Sequence, residues 1–306
     1  MDAVCIGEML VDFTPGQERD SYVKHAGGAP ANVAVMLARN GVQSGFVGKL
    51  GHDDFGIFLA QTLQAEGVKL LCDPFTQEAV TTLAFVTLYE NGERSFTFAR
   101  KPGADMLLRP TDISEEEIQR CKVVHAGSVS LSEQPAREAV LYSMRLGKQC
   151  GKLVSFDINY RSALWDFETA KREVEKVLPY VDLLKISEEE LGFVGGEAQI
   201  SETMERFDIS VVVQTLGGKG AKYYFRGGTG SIEGRRVNAV DATGAGDAFW
   251  GGFLAELLRL GITSRKELTV ECLEVALHYG NCSGALCVQK KGGIPALPYR
   301  ADVEQM

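Results

Sequence analysis

The chain has 306 residues, 45% hydrophobic and 24% charged, the composition of a globular protein able to bury a sizeable core. A formal net charge of -9 leaves no basic excess to pair with phosphate backbones or anionic lipid, which argues against nucleic-acid and membrane-surface partners. Seven cysteines, an odd number with no Cys-x-x-Cys pair, and only four histidines read as buried reduced thiols rather than a zinc site. The N-terminus carries no basic region, and no apolar run reaches membrane-span length, so the expected location is the cytoplasm.

In chain order, Ala3 to Gly7 is a short apolar run ending in glycine, which suits a buried parallel strand. A helix is predicted over 28–40, a strand over 44–48, a helix over 55–66 and an extended segment over 68–72. Two stretches break this alternation. Residues 81–89 and 94–98 flank Asn91-Gly92, the signature of a tight hairpin, and residues 11–24 are extended around Pro15-Gly16. Both are assigned to a small β-structured lid, 11–24 and 81–100, inserted in one domain spanning 1–306. The rhythm resumes with a strand at 123–127, a helix at 133–149 and strands at 153–157 and 181–184. A helix at 187–194, a strand at 209–214 and amphipathic helices at 245–260 and 266–282 follow. The expected fold class is α/β: a three-layer α/β/α sandwich on a mainly parallel central sheet, with a small β-sheet lid.

The chemistry concentrates in Val240-Asp-Ala-Thr-Gly-Ala-Gly-Asp-Ala-Phe-Trp-Gly-Gly-Phe253. Phe249, Phe253, Leu257 and Leu260 recur at helical spacing, so a buried helix starts near Asp247. Gly244-Ala245-Gly246 before it is nearly free of side chains, so its amides can converge beside the positive end of the helix dipole as an anion hole. Asp247 at that mouth could take the proton of an attacking hydroxyl, or it could simply cap the helix. Gly251 and Gly252 inside the helix each cost about 1 kcal/mol relative to alanine, which implies that something packs closely against them.

Asp241-Ala-Thr-Gly-Ala-Gly-Asp247 resembles the C-terminal signature of the ribokinase/PfkB family of carbohydrate kinases. Gly27-Gly-Ala-Pro-Ala-Asn-Val-Ala34 is similar to the N-terminal signature, and Gly48-Lys-Leu-Gly-His-Asp-Asp-Phe-Gly56 to a third family element, all in family order. The resemblance implies a ribokinase-like fold and phosphoryl transfer from ATP, with Mg²⁺, to a small sugar. It makes Asp247 the catalytic base and Gly244, Ala245 and Gly246 the anion hole. Asp12, Gly27, Gly28 and Asn32 would bind sugar hydroxyls, a role that suits an acceptor carboxylate and a donor–acceptor amide. Lys185, Thr215, Gly217, Gly218, Gly220 and Asn281 would contact ATP, joined by Gly244 and Gly246. Thr215-Leu-Gly-Gly-Lys-Gly220 is not a Walker A motif, and on its own it reads as a hairpin turn.

Glu190 would organise Mg²⁺ through water, but Ser187 stands where the family usually carries asparagine. Asp241 and Thr243, with carbonyls near Cys287, Lys290 and Gly292, would hold a K⁺ ion. Family analogy also suggests a homodimer formed through the lid, whose open strand edges invite pairing.

Phe96 to Leu108 and Lys290 to Pro298 are similar to fructokinases, and Phe156 to Trp165 resembles a run shared by fructokinases and 2-keto-3-deoxygluconate kinases; together they imply D-fructose as substrate. In that subfamily Phe98, Arg100 and Arg161 would reach the sugar, and Phe96 would join Phe98 in closing over it. Arginines also suit the carboxylate of 2-keto-3-deoxygluconate, and an aminoimidazole riboside is a further candidate. A non-catalytic sugar or nucleotide sensor on the same fold is the rival from another class. An NAD enzyme is disfavoured, because no Gly-x-Gly-x-x-Gly follows the first strand.

Overall fold

The computed structural model describes residues 1–18, 20–88, 94–226 and 228–306, without the side chains of 88 and 94–96. The Asn91-Gly92 turn and the Phe96 ring therefore lie outside the described residues. The first half runs β1 (Ala3–Ile6), β2 (Leu10–Pro15), β3 (Tyr22–Gly27), α1 (Ala29–Arg39), β4 (Ser44–Val47), β5 (Leu50–Gly51), α2 (Asp54–Ala65), β6 (Lys69–Leu70), β7 (Phe75–Thr76), β8 (Leu83–Leu88) and β9 (Arg94–Ala99). Next come α3 (Glu115–Arg120), β10 (Val123–Gly127), α4 (Ala136–Gln149), β11 (Leu153–Asp157), α5 (Phe167–Val177), β12 (Leu183–Ser187) and α6 (Ile200–Phe207). The chain ends with β13 (Val211–Thr215), β14 (Gly220–Phe225), β15 (Gly228–Glu233), α7 (Ala245–Arg259), α8 (Val270–Cys287) and α9 (Arg300–Glu304).

Among the described residues, nine strands form the main sheet in the order β15-β14-β13-β12-β11-β10-β1-β4-β6. Pairing is parallel from β13 through to β6, and the β13-β14-β15 edge is antiparallel. Successive side chains of a strand point to opposite faces, and the strands here are apolar on both. Ala3 and Cys5 enter one core with α1, α2, α7 and α8, while Val4 and Ile6 enter a second with α3 to α6. This is the expected three-layer sandwich. The strand order reverses beside β1, whose neighbours are β4 and β10, and crevices open at the strand ends of such switch points.

A separate four-stranded sheet has the order β3-β2-β8-β9. Phe13 stacks on Phe85 with ring centroids 5.1 Å apart and meets Phe55 of α2 edge-on at 5.7 Å. The ammonium of Lys24 lies 4.2 Å from the ring centre of Phe58, so one side of the small sheet leans on α2.

The glycines of α7 have the close neighbours their cost implied. A Cβ on Gly251 would lie 2.6 Å from Cβ of Met36 in α1, and one on Gly252 2.5 Å from Oγ of Ser283 in α8. Three neighbouring helices thus meet with little room between them.

Several boundaries differ from expectation. Residues 188–194 form a 3₁₀ helix, closed by Gly195 in the left-handed region. The final long helix spans Val270–Cys287 rather than 266–282, because the Thr269 hydroxyl accepts from Cys272 N at 3.3 Å and caps it there. Helices α5 and α6 and the β14–β15 hairpin were not anticipated. The hairpin reading of 215–220 holds, since β13 and β14 pair antiparallel across it. No helix among the described residues is long and apolar enough to cross a membrane.

Candidate active site

A cleft of about 620 Å³ opens between the ends of the main strands and the small sheet. The main sheet contributes Lys185 and Thr215 to its walls, α1 contributes Asn32, and the head of α7 contributes Gly246 and Asp247. Asp12 and Phe98 come from the small sheet, while Tyr160 and Arg161 come from the loop after β11.

At the head of α7, Gly244 adopts φ +77°, a left-handed conformation that glycine enters without strain. The Ala245 N–H donates to Ala242 O at 3.2 Å, and Ala248 N–H makes the first full helical bond to Gly244 O at 2.8 Å. The amides of Gly246 and Asp247 are left without an intrahelical acceptor, beside the positive end of a fifteen-residue helix. The cap position of α7 is Gly244, which has no side chain to offer, and Asp247 stands in the first turn. Its Oδ2 accepts from Asn32 Nδ2 at 2.7 Å, which joins two motifs 215 residues apart.

Burial pushes the Asp247 carboxyl upward and Asp157 adds to this, against the Asn32 hydrogen bond and the charges of Lys185 and Arg161. A carboxylate raised from its ordinary range is a stronger base once ionised.

Behind the helix head, Lys185 Nζ pairs with Asp157 Oδ2 at 2.7 Å, both buried. A Cβ on Gly246 would lie 3.3 Å from that ammonium, so Lys185 adjoins the amide cradle. Burial alone would lower the Lys185 pKa, but the carboxylates of Asp157, Glu190 and Asp247 outweigh it and hold the group charged. Glu190 accepts from Tyr160 N at 2.7 Å and Ser187 N at 2.8 Å, and burial with Asp157 pushes its carboxyl up. The other Asp157 oxygen, Oδ1, is buried with no hydrogen-bond partner. Hard oxygen donors held by amides or left unpaired suit a hydrated Mg²⁺.

Toward the small sheet, Asp12 faces His25 across the β2–β3 pair, and its carboxyl rises to about 7. Burial is the main cause, and Asp247 and Asp241 add to it against Arg161. Gly28 has φ +112°, and a Cβ there would meet Glu8 O at 2.5 Å, so only glycine fits. Gly27 packs against the Asp12 carboxylate, which a Cβ there would strike, and Ala245 stands between the lining residues Gly244 and Gly246 in the chain. Asp241 accepts from Thr243 N and Gly292 N, each at 2.9 Å, and its buried carboxylate is held in the loop before α7.

Of the expected site residues, Gly27, Arg100, Gly217, Gly218, Gly220, Asp241, Ala245 and Asn281 are not among those lining the cleft. Arg100 does not line the cleft: its Nε and Nη2 bond Asp105 Oδ2 at 2.9 and 2.6 Å, and Nη1 bonds Ser132 Oγ at 2.8 Å. A buried aspartate five residues away gives the guanidinium a desolvated partner that no sugar hydroxyl matches. Asn281 donates to the carbonyls of Ile232 and Glu233 at 3.1 and 3.2 Å, so it ties α8 to β15. Gly217, Gly218 and Gly220 follow the lining residue Thr215 in the chain but do not themselves line the cleft.

The sequence reasoning passed over Glu8, Asp157 and Asn159. Glu8 follows a fully apolar strand and a glycine, an unusual place for a carboxylate and the only signal it offers. Asp157 and Asn159 stood inside a quoted motif without assigned roles, and Asn159 has φ +38°, uncommon outside glycine.

A family model described as pfkB family carbohydrate kinase matches residues 1–300, and the chain belongs to that family. Among its relatives, it is 41% identical to fructokinase-1 of Oryza sativa subsp. japonica over 313 residues, covering 98% of this chain and 95% of that one. It superposes on a fructokinase with bound ATP from Xylella fastidiosa with a TM-score of 0.91 at 32% identity, covering 99% and 97% of the two chains. A Vibrio cholerae O395 fructokinase, bound to fructose, ADP and calcium ion, gives a TM-score of 0.90 at 36% identity, covering 100% and 98%.

Proposed function

We propose that this protein transfers the γ-phosphoryl group of ATP to the primary 6-hydroxyl of D-fructose, giving fructose 6-phosphate. The observation that carries the reading is the Asn32–Asp247 hydrogen bond at the head of α7, which sets a carboxylate beside open helix amides in a cleft of about 620 Å³. Fructose is favoured because the rice, Xylella and Vibrio relatives are named fructokinases, and the Vibrio structure contains fructose.

In this reading Asp12, Asn32 and the Gly27-Gly28 amides hold the sugar hydroxyls, under Phe98 and beside Arg161. The small sheet acts as a lid that excludes water, which would otherwise accept the phosphoryl group. Asp247 Oδ takes the proton of the attacking hydroxyl as its oxygen bonds to phosphorus and the bond to the ADP oxygen breaks. The Gly244, Gly246 and Asp247 amides and the Lys185 ammonium stabilise charge on the moving group, with Ala245 as their helical spacer. Thr215, Gly217, Gly218 and Gly220 border the nucleotide, and Asn281 supports that border through β15. Glu190 and Asp157 would hold hydrated Mg²⁺, which neutralises the ATP phosphates.

Asp241 and Thr243 would hold K⁺ in the loop before α7, so replacing K⁺ by tetramethylammonium is expected to lower the rate. Tyr22 and Val23 on the edge strand β3, 51% and 48% exposed, favour a homodimer through the small sheet, which sedimentation would detect. The unpaired thiols favour a reducing, cytoplasmic setting.

The deciding assay is ADP release across fructose, ribose, 2-keto-3-deoxygluconate, aminoimidazole riboside and adenosine. The highest kcat/KM is expected with fructose, with the 6-phosphate identified by phosphorus NMR. Preference for the acid sugar would reassign Arg161 to its carboxylate. Turnover of none would favour a sensor.

A further inference from the structure

Among the described residues the chain passes between the main body and the small sheet at four places: Glu8 before β2, Gly28 after β3, Thr82 before β8 and Arg100 after β9. Hydrogen bonds tie these crossings to the segment after β10. Glu8, only 2% exposed, accepts from Ser130 Oγ at 2.6 Å and from Ala29 N, the first amide of α1, at 3.3 Å. Arg100 bonds Asp105 and Ser132, and the Thr82 hydroxyl donates to Asp105. Ser130 and Ser132 are two residues apart, so both halves of the cluster anchor on one short turn.

The packing around Glu8 leaves little slack. A Cβ on Gly7 would lie 2.7 Å from Ser130 Oγ and 2.8 Å from Pro30 Cγ, and one on Gly28 would meet the Glu8 carbonyl. Glu8 also lines the cleft, in contact with the run that carries Gly28 and Asn32. Asn32 in turn holds Asp247. A carboxylate buried only for stability could have been replaced by an apolar side chain, because burying a polar group is costly. Its use at this junction points to geometry.

We propose that Glu8 is a positioning residue: by holding Ala29 and Ser130 it fixes the start of α1, and with it Gly28 and Asn32, against the β10 end of the cleft. The Arg100–Asp105–Thr82 cluster does the same for the other pair of crossings, so the small sheet hangs from a polar joint. Naming this side of the cleft the sugar side rests on the proposed kinase reading.

The test uses the full chain with Glu8→Ala, Glu8→Gln and Ser130→Ala. Glu8→Ala is expected to raise the fructose KM by about tenfold or more while the ATP KM stays within about twofold, the split given by a displaced sugar site. Amide hydrogen exchange without ligand is expected to quicken over residues 28–35 and 10–15 and to stay unchanged in β12. Glu8→Gln, which keeps an acceptor for Ala29, is expected to restore the fructose KM to within about threefold. A folded Glu8→Ala protein with unaltered fructose KM and exchange overturns the proposal, as does equal loss for sugar and ATP with exchange raised throughout. If Glu8→Ala does not fold, Ser130→Ala must shift the fructose KM in the same direction, and no shift overturns the proposal. Should the wild-type chain phosphorylate no sugar, the kinase reading fails on its own. The exchange pattern then decides: quickening confined to 28–35 and 10–15 supports the joint, and any other pattern rejects it.

Discussion

At the α7 end of the cleft, charge is held by backbone amides and a buried ion pair; at the small-sheet end it is held by single side chains, Asp12 on β2 and Arg161 on the loop after β11. Asp157 and Lys185 are 1% and 5% exposed and locked together at 2.7 Å. Asp12, Phe98 and Arg161 keep part of their surface in solvent. The two ends suit two tasks. A phosphoryl group in flight needs dipoles that do not reorganise, whereas a sugar must enter, be recognised and leave. The rigid end rests on helices packed so closely that Gly251 and Gly252 admit no side chain, and the other end hangs from the hydrogen bonds of Glu8 and Arg100.

The sharpest way to break this contrast is Asp247→Asn. It keeps the Asn32 contact within reach but removes the base, so kcat is expected to fall about 10²-fold or more while fructose binding by calorimetry persists. A near-normal rate would sink the assignment. Lys185→Met tests the buried pair. It leaves Asp157 charged and unpartnered, and denaturant unfolding is expected to show about 3–5 kcal/mol of lost stability together with a raised ATP KM.

Gly251→Ala tests the close packing beneath the cradle. The added methyl meets Met36, and a loss of about 1–3 kcal/mol in unfolding, with little change in fructose KM, is expected.

The smallest effect is a pH dependence at Asp12. Its folded carboxyl lies at about 7 against an ordinary value of 3.8, so between these the native state holds a proton the unfolded chain has released. Its share of stability is therefore full at low pH and is lost as pH rises through about 7. Only the ionised form accepts from two hydroxyls, so the fructose KM is expected to fall a few-fold over the same rise. Asp12→Asn should flatten both slopes, read by thermal melts and by initial rates across pH.

Much of the architecture was legible because local patterns carried it. An apolar run marked β1 as a buried parallel strand, the resumed alternation of elements placed β10 and β11, and the phenylalanine spacing marked α7. Helices α5 and α6 went unread although each has an apolar stripe, since their exposed faces make the stretches look polar overall. The segment after Ser187 looked like an α-helix. Its turn is tightened by Glu190 reaching back to the Ser187 amide and closed by Gly195 and Gly196 at positive φ. At the site, Asp247, Asn32 and Lys185 were nameable from motifs. Arg100 was misplaced because Asp105, its partner, offered no motif and faces it only after β9 ends.

The sequence by itself determined the alternation of strands and helices, the glycine-lined head of α7 and the carboxylate that follows it, because these depend on residues a few positions apart. Only the tertiary structure decided which distant groups meet: Asn32 with Asp247, Asp157 with Lys185, Glu8 with Ser130. Those contacts span 28 to 215 residues, and what joins them is the order of strands in the sheet, which no local pattern encodes.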